Sequence, residues 1–300
     1  MIKQLLHRVL PVAVSAGLIA WLLYLIPPSK VVDEFVKVPW QQILPVTAAM
    51  VLALYLWDTV CLQTVFATDG HVVPYRRMLH VRGTSYLLGA FNYELGQGLV
   101  AWSISRLQKI SLLQTISRSV VLAYHDLVVL FSVGLVGSLL VENPAREVRL
   151  VKLLAGVGLA GLVAVAVAFS LLPREKRERF RETRWGAWLV DWSWRRSLRL
   201  AWQRLVYFGI LILYAGVALA ICGVPVDSLV VASTIPVVLL ADALPSVCGI
   251  GTRETALILL LNPENRAAIF ALSLIWSTGM IVGRMTIGLL HYWVPGRAAE

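Results

Sequence analysis

The amino-acid sequence predicts an all-α polytopic membrane protein, with about six transmembrane helices, two re-entrant helical hairpins and both termini in the cytoplasm. Three observations support this prediction. Of the 300 residues, 58% are hydrophobic and the mean hydropathy is +0.76, which is typical of membrane proteins rather than water-soluble domains. Apolar runs of about 20 residues, the length of a helix that spans a bilayer, recur along the chain. Basic residues gather in a few connecting segments, as expected of cytoplasmic loops.

The six predicted transmembrane segments are uninterrupted apolar stretches that can cross as ordinary helices. They are residues 9–27, 43–66, 118–140, 150–172, 204–222 and 267–291. The first segment follows Lys3 and Arg8, as the apolar core of a signal peptide does. Its apolar run is too long, however, and no small-residue cleavage site follows, so we interpret it as an uncleaved span.

Two further apolar segments, 83–105 and 228–261, are interrupted by glycine and polar residues, and the loop charges predict how they are threaded. Segment 83–105 lies between two loops with three basic residues each, so both of its ends are predicted to be cytoplasmic. Segment 228–261 lies between loops that are almost free of basic residues and is predicted to enter from outside. If segment 83–105 crossed the membrane instead, loop 173–203, with nine Arg or Lys residues, would be external, against the charge rule. A full crossing by segment 228–261 stays open as an alternative, and it would place only the short C-terminus outside.

This threading divides the chain into two halves with the same element order and opposite orientations. Residues 1–150 form the first predicted repeat, which contains the cytoplasmic hairpin 83–105. Residues 151–300 form the second, which contains the external hairpin 228–261. Inverted repeats of this kind are typical of secondary transporters, whose substrates bind near the bilayer midplane between interrupted helices.

The string LPSVCGIGTRET, residues 244–255, breaks the second hairpin where lipid normally allows only helix. A helix that restarts near Thr252 directs its free N–H groups and positive dipole end into the break, and Arg253 adds a full charge. Each hairpin also carries a G-x-G triplet, at Gly96-Gln97-Gly98 and at Gly249-Ile250-Gly251. Unwound backbone in a bilayer must be surrounded by protein or water. We therefore expect a wet, anion-binding pocket between the hairpins, with a lipid phosphate as its ligand.

The sequence LPSVCGIGTRETALILLL resembles the signature of the transmembrane, flippase-like domain of lysylphosphatidylglycerol synthases. The residues that match its proline, glycine turn and acidic helix start are Pro245, Gly249, Gly251 and Glu254. The segment GAFNYELGQGLVAWSISR is similar to the family's other polar segment, with Asn92, Gly96 and Arg106 as the matching residues. The chain departs from the family pattern at Cys248 and Gln97. The resemblance implies lipid translocation between leaflets, and the short tail after the last span suggests a stand-alone member without the soluble synthase domain.

Candidate functional residues fall into two groups. The residues predicted to bind substrate are Asn92, Glu94, Gly96, Gln97, Gly98, Gly249, Gly251, Arg253 and Glu254. Ionisable groups within or beside apolar segments are costly in lipid and are candidates for proton coupling or counter-ions; they are Asp58, Arg118, His125, Asp126, Asp242 and Arg284. A structural interpretation stays open for both groups. The carboxylates and His125 can form buried pairs with Arg118 or Arg284, and Glu254 can be a helix cap with Arg253 paired to Asp242.

The leading functional prediction is a lipid translocase of the inner (plasma) membrane, with a lipid headgroup as its ligand. The alternative is a membrane-embedded transferase, or an accessory subunit, that acts on a lipid-linked substrate, and His125 and Asp126 would be its acid/base pair. The net charge of +10 and the Trp- and Arg-rich stretch 184–204 indicate a cytoplasmic membrane surface rather than nucleic acid. The sequence contains no metal-ligand or cofactor motif. A homodimer or a lipid-modifying enzyme is a possible partner.

Overall fold

A computed structural model of the protein describes residues 2–67, 72–90, 93–142, 145–173, 175–176, 178–179, 183, 193–241, 251–261 and 265–293. These residues are mostly helical and include no β-strand, so the all-α prediction is confirmed for them. The first helices are α1 (Ile2–Leu25), α2 (Pro28–Lys37), α3 (Trp40–Phe66), α4 (Tyr75–Gly89), α5 (Tyr93–Gln108) and α6 (Leu112–Leu140). They are followed by α7 (Arg146–Ser170), α8 (Trp194–Ile221), α9 (Ser228–Ala241), α10 (Thr252–Leu260) and α11 (Arg266–Trp293).

Five of these helices are long and apolar enough to cross a membrane, namely α3, α6, α7, α8 and α11. Residues 13–25 of α1 and the whole of α2 also pass this test as one pair, although the two helices meet at an angle of 85°. These helices indicate a multi-pass membrane protein, and the described residues supply five candidate spans, or six if the bent pair counts as one. Five of the six predicted spans coincide with single long helices.

Helix α2 occupies a segment that the sequence predicts as an external loop. Pro28 stands at its first position, where the missing N–H of proline breaks no helical hydrogen bond. The helix ends before Val38, because Pro39 disfavours helical backbone in the residue that precedes it. A surface ion pair between Lys37 and Glu34, at 2.7 Å, joins neighbouring turns. The connection 28–42 between the first two predicted spans is thus helical over residues 28–37, and its external location stays a prediction.

Helices α4 and α5 pack against each other as a helical hairpin that includes the predicted segment 83–105. The two backbones approach closely at Gly89 and Gly96. A Cβ atom on Gly96 would lie 2.8 Å from Cα of Gly89 and 3.1 Å from the carbonyl oxygen of Ser85, which is too close for any other residue. Helices α9 and α10 also pack against each other, and the turn between them lies outside the described residues. Re-entry of these pairs into the bilayer stays a prediction.

The helices form two compact units. The first unit comprises residues 1–51, 130–156 and 208–282, and the second comprises 52–129, 157–207 and 283–300. The core of the second unit is apolar and includes the buried residues Cys61, Leu62, Phe66, Met78, Val100, Ile104 and Leu200. Buried residues of the first unit include Ile235, Leu257, Ile269 and Trp276. Each unit takes segments from both halves of the sequence, and the inverted repeat stays a prediction about topology in the membrane.

Candidate functional site

The second unit contains an ion network of four charged side chains, of which Asp58, Arg82 and Arg204 are buried and Asp126 is partly exposed. Oδ2 of Asp58 on α3 lies 2.6 Å from Nη2 of Arg82 on α4, and Oδ1 accepts from Nη1 of Arg204 on α8 at 2.9 Å. Nε of Arg204 donates to Oδ1 of Asp126 on α6. The exposed fractions of Asp58, Arg82 and Arg204 are only 3%, 7% and 5%. Charges from four helices therefore neutralise one another away from solvent.

Arg204 has the geometry that such a network requires. Its planar guanidinium presents several N–H donors in fixed directions, so different nitrogens can bind two carboxylates at once. Its guanidinium carbon also lies 4.0 Å from the centre of the Tyr207 ring, and that of Arg82 lies 4.8 Å from the Tyr86 ring. Removing one member of a buried ion pair typically costs about 3–5 kcal/mol, because the remaining charge is left without compensation.

A third arginine of the second unit stands beside this network. The guanidinium carbon of Arg284, on α11, lies 5.6 Å from the centre of the Tyr86 ring, which Arg82 also contacts. Arg284 is partly exposed. It makes no ion pair and no hydrogen bond in the part of the chain that the structure describes. The two aspartates and two arginines of the ion network balance formally, so Arg284 adds a positive charge that has no ion pair of its own among the described residues.

His125 and Asp126 are adjacent in sequence but have different partners. Nδ1 of His125 lies 2.8 Å from the carbonyl oxygen of Val121, and Nε2 lies 3.2 Å from Oγ of Ser197. The carboxylate of Asp126 instead accepts from Arg204. The acid/base role of these two side chains in a transferase stays a prediction.

The counter-ions of the buried aspartates differ from those predicted. Arg118 donates from Nη1 to the carbonyl oxygen of Phe66 at 3.2 Å, and Arg284 contacts Tyr86, while Arg82 and Arg204 hold the carboxylates. The sequence predicts Arg82 as the last residue of the cytoplasmic loop 67–82, yet it is buried on α4, and Arg204 is the first residue of the predicted span 204–222. The missed signal is that Asp58 and Asp126 need cations at their own depth, and both arginines adjoin apolar segments.

In the first unit, Glu254 closes the start of α10. Its Oε2 accepts from the backbone N–H of Gly251 at 2.6 Å, and its Oε1 accepts from the hydroxyl of Ser277 on α11 at 2.8 Å. The side chain is almost fully buried, with 1% exposure. Gly251 has φ of 91°, a conformation that favours glycine, and α10 begins at Thr252 as predicted. The carboxylate thus balances the positive end of the helix dipole, which fits the cap interpretation.

Two further features of the first unit adjoin Glu254, namely Arg253, which precedes it in the sequence, and an apolar cavity that it borders. The guanidinium carbon of Arg253 lies 5.3 Å from the centre of the Trp276 ring. A cavity of 280 Å³ is bordered by Glu254 and by apolar residues of α1, α2 and α11. Its apolar lining is Ile19, Leu23, Pro28, Val31, Val32, Phe35, Phe270 and Leu274. Glu254 is the single charged residue of this lining, so the cavity suits a hydrocarbon chain better than a polar group.

The other predicted substrate-binding residues are divided between packing positions and undescribed ones. Gly96 packs against Gly89, Gln97 is partly exposed, and Gly98 is exposed with open space where a Cβ would be. Asn92, Asp242 and Gly249 lie outside the described residues, as does the side chain of Glu94. Among the described residues, no group of three or more His, Cys, Asp or Glu is placed to hold a metal ion.

Comparisons with family models, curated proteins and solved structures find no match for this chain.

Proposed function

We propose that the protein is an integral membrane lipid translocase that moves an anionic, aminoacylated or polyprenyl-phosphate-linked lipid between leaflets. The observation that carries this proposal is the buried ion network, which joins three long apolar helices, α3, α6 and α8, to the helical hairpin through α4. Charged residues inside membrane helices are expensive, and in transporters they line the path of the substrate or of a coupled ion. A lipid headgroup is the polar cargo that must pass such a region.

The helix pairs support the same proposal. Interrupted helices in transporters direct backbone groups towards the substrate near the midplane. In the first unit, Arg253 places a positive charge in the first turn of α10, beside the carboxylate of Glu254 that caps the start of this helix, and we propose that this charge attracts an anion. The resemblance of residues 244–261 to the flippase-like domain of lysylphosphatidylglycerol synthases supports a lipid as that anion. In this proposal the pairs α4–α5 and α9–α10 are re-entrant hairpins of an inverted repeat, and both termini are cytoplasmic.

The proposed mechanism is alternating access. One repeat moves against the other, the headgroup exchanges between the two leaflets through a polar region, and the acyl or prenyl chains stay in lipid. Arg253 is the proposed phosphate contact on the external hairpin. Asn92, Glu94 and Gln97 are the proposed headgroup contacts on the cytoplasmic hairpin. The inner (plasma) membrane is the proposed location.

Lipid movement in proteoliposomes tests this function. The full chain is reconstituted in vesicles that contain phosphatidylglycerol labelled on its acyl chain, and a membrane-impermeant reductant destroys the label in the outer leaflet. We expect wild-type protein to expose the inner-leaflet label, and Arg253→Gln to slow this phase about tenfold through loss of a charged hydrogen bond. Arg149→Gln removes the same charge from an exposed position on α7 and serves as the matched control.

The outcomes separate the functional classes. Inner-leaflet label that stays as protected as in protein-free vesicles rejects the translocase. Lipid that moves without a change of mass, measured by mass spectrometry of the extracted lipid, supports it. A new covalent lipid product favours the transferase instead. Equal rates for wild type and Arg253→Gln remove the role of Arg253.

A further inference from the structure

We propose that Arg284 and Arg82, on the two α-helices that meet at the Tyr86 ring, bind one phosphate group, and that its source is a lipid headgroup with a single net negative charge. This inference deepens the proposed function and rests on it for the lipid as source. The phosphate chemistry itself rests on the geometry of the second unit. The formal charges of the ion network balance without Arg284, so the presence of Arg284 beside it suggests a further, anionic ligand.

The charges of the ion network and of Arg284, taken together, point to an anion. Both oxygens of Asp58 are engaged by arginines, and Asp126 is engaged by Arg204, so the carboxylates of the network are already committed. Arg284 lies on a helix long and apolar enough to span a membrane, and it has no carboxylate partner among the described residues. A charge in such a place is costly unless something compensates it. One further negative charge brings the formal charge of the ion network and Arg284, taken together, to zero.

The arrangement of the two arginines supplies the binding geometry. Their guanidinium carbons lie 4.8 Å (Arg82) and 5.6 Å (Arg284) from the centre of the same Tyr86 ring. Two like charges around one ring repel each other, and an anion between them reverses this repulsion into two attractions. Guanidinium groups bind phosphate through parallel N–H donors, and this pairing is among the stronger hydrogen-bonded contacts in proteins.

Exposure decides which of the two arginines a ligand meets first. Arg82 is 7% exposed and already holds Asp58, whereas Arg284 is partly exposed and holds no carboxylate in the described region. An incoming phosphate therefore contacts Arg284 first, and Arg82, whose guanidinium lies at the same Tyr86 ring, is the second proposed contact. The neutral total reached with one negative charge favours an anionic phosphodiester lipid over a zwitterionic one, whose cationic group would meet the arginines.

The test uses the detergent-solubilised full chain and three soluble probes, which are short-chain phosphatidylglycerol, short-chain phosphatidylcholine and inorganic phosphate. Dissociation constants are measured by calorimetry and Tm by thermal unfolding. We expect phosphatidylglycerol to bind most tightly, and Arg284→Gln to weaken it about 10- to 100-fold. Arg284→Lys keeps the charge but lacks the paired N–H donors of the guanidinium, so its dissociation constant for phosphatidylglycerol should lie between those of wild type and Arg284→Gln. Arg149→Gln should bind like wild type.

The Tm without ligand distinguishes a binding residue from a structural one. Arg284 holds no acceptor in the described residues, so Arg284→Gln should leave the Tm of the unliganded protein unchanged or raise it, as expected when a functional charge is removed. A fall in Tm of several degrees together with unchanged affinity for all probes overturns the proposal. Arg284-dependent binding of inorganic phosphate, as tight as that of phosphatidylglycerol, supports the phosphate site and overturns the lipid as its source.

Binding and transport can fail separately. Arg284-dependent binding without any lipid movement in proteoliposomes supports the phosphate site and rejects the translocase. Lipid movement that is the same in wild type and Arg284→Gln, with unchanged affinity, overturns the phosphate site and leaves the translocase standing.

Discussion

The two aspartates of the ion network should differ in their contribution to stability, and the structure gives the order. Asp58 is held by two arginines and its side chain is 4% exposed, whereas the side chain of Asp126 is 24% exposed and shares Arg204 with Asp58. Asp58→Asn leaves Arg82 without its carboxylate and weakens the hold on Arg204. Asp126→Asn leaves Arg204 still paired with Asp58.

The expected magnitudes follow from burial. Breaking a buried pair costs about 3–5 kcal/mol, so Asp58→Asn should lower the free energy of unfolding by that amount. Asp126 has one arginine contact in the network, and Arg204 keeps Asp58 when that contact is lost, so Asp126→Asn should cost about 2 kcal/mol, as for one hydrogen bond to a charged group. A double-mutant cycle of Asp58→Asn with Arg82→Gln should show coupling, because removing both partners leaves less uncompensated charge than the sum of the single changes.

Unfolding of the purified protein in mixed micelles, with increasing denaturing detergent and tryptophan fluorescence as the signal, measures these differences. Helical content by circular dichroism confirms that each variant starts from the same fold. The reasoning is refuted if Asp126→Asn destabilises as much as Asp58→Asn. It is also refuted if the Asp58–Arg82 cycle is additive, since additivity would mean that the 2.6 Å pair carries no interaction energy.

Two further predictions concern the helical hairpin and the first unit. Gly96→Ala should destabilise the protein by about 1–3 kcal/mol, because its Cβ would lie 2.8 Å from Cα of Gly89. The control Gly98→Ala has open space around its Cβ and should be neutral or stabilising. Unfolding in denaturing detergent compares the two variants, and equal effects would contradict the packing argument. Ser277→Ala should lower the free energy of unfolding by about 1–3 kcal/mol, because Oε1 of the buried Glu254 loses its hydrogen-bond donor. The companion variant Ser277→Thr keeps the hydroxyl and should recover part of that loss. An unchanged unfolding midpoint in Ser277→Ala would show that this hydrogen bond contributes nothing to stability.

Helix ends were less predictable than the spans themselves. The predicted span 204–222 lies inside α8, which begins ten residues earlier at Trp194, and 118–140 lies inside α6, which begins at Leu112. Apolar residues mark the part of a helix that contacts lipid, and a helix can continue beyond it into polar surroundings. Helix α2 was missed for the same reason, because its mixed polar sequence carries no signal of membrane contact.

The sequence alone predicts which ionisable residues of the candidate site lie in apolar segments, but it does not predict which of them form ion pairs. Asp58 and Asp126 stand out in apolar sequence, and Glu254 follows a glycine turn, so cost and local pattern were enough to identify them. Arg204 contacts Asp58 across 146 residues of sequence, and no local pattern indicates such a pairing. Arg82 follows Arg76 and Arg77 closely in the sequence, and such a group of basic residues indicates a cytoplasmic loop rather than a buried ion pair.

The sequence by itself determined the helical class, the approximate extent of the long apolar helices and the restart of the chain as a helix at Thr252, because hydrophobicity, length and turn chemistry are properties of short stretches. Only the tertiary structure decided that Arg82 and Arg204 neutralise Asp58, that Arg284 keeps its charge without a carboxylate among the described residues, and that His125 and Asp126 have separate partners. These outcomes depend on which helices become neighbours, since Coulomb attraction in a low-dielectric interior acts between residues that are close in space and is independent of their separation in sequence.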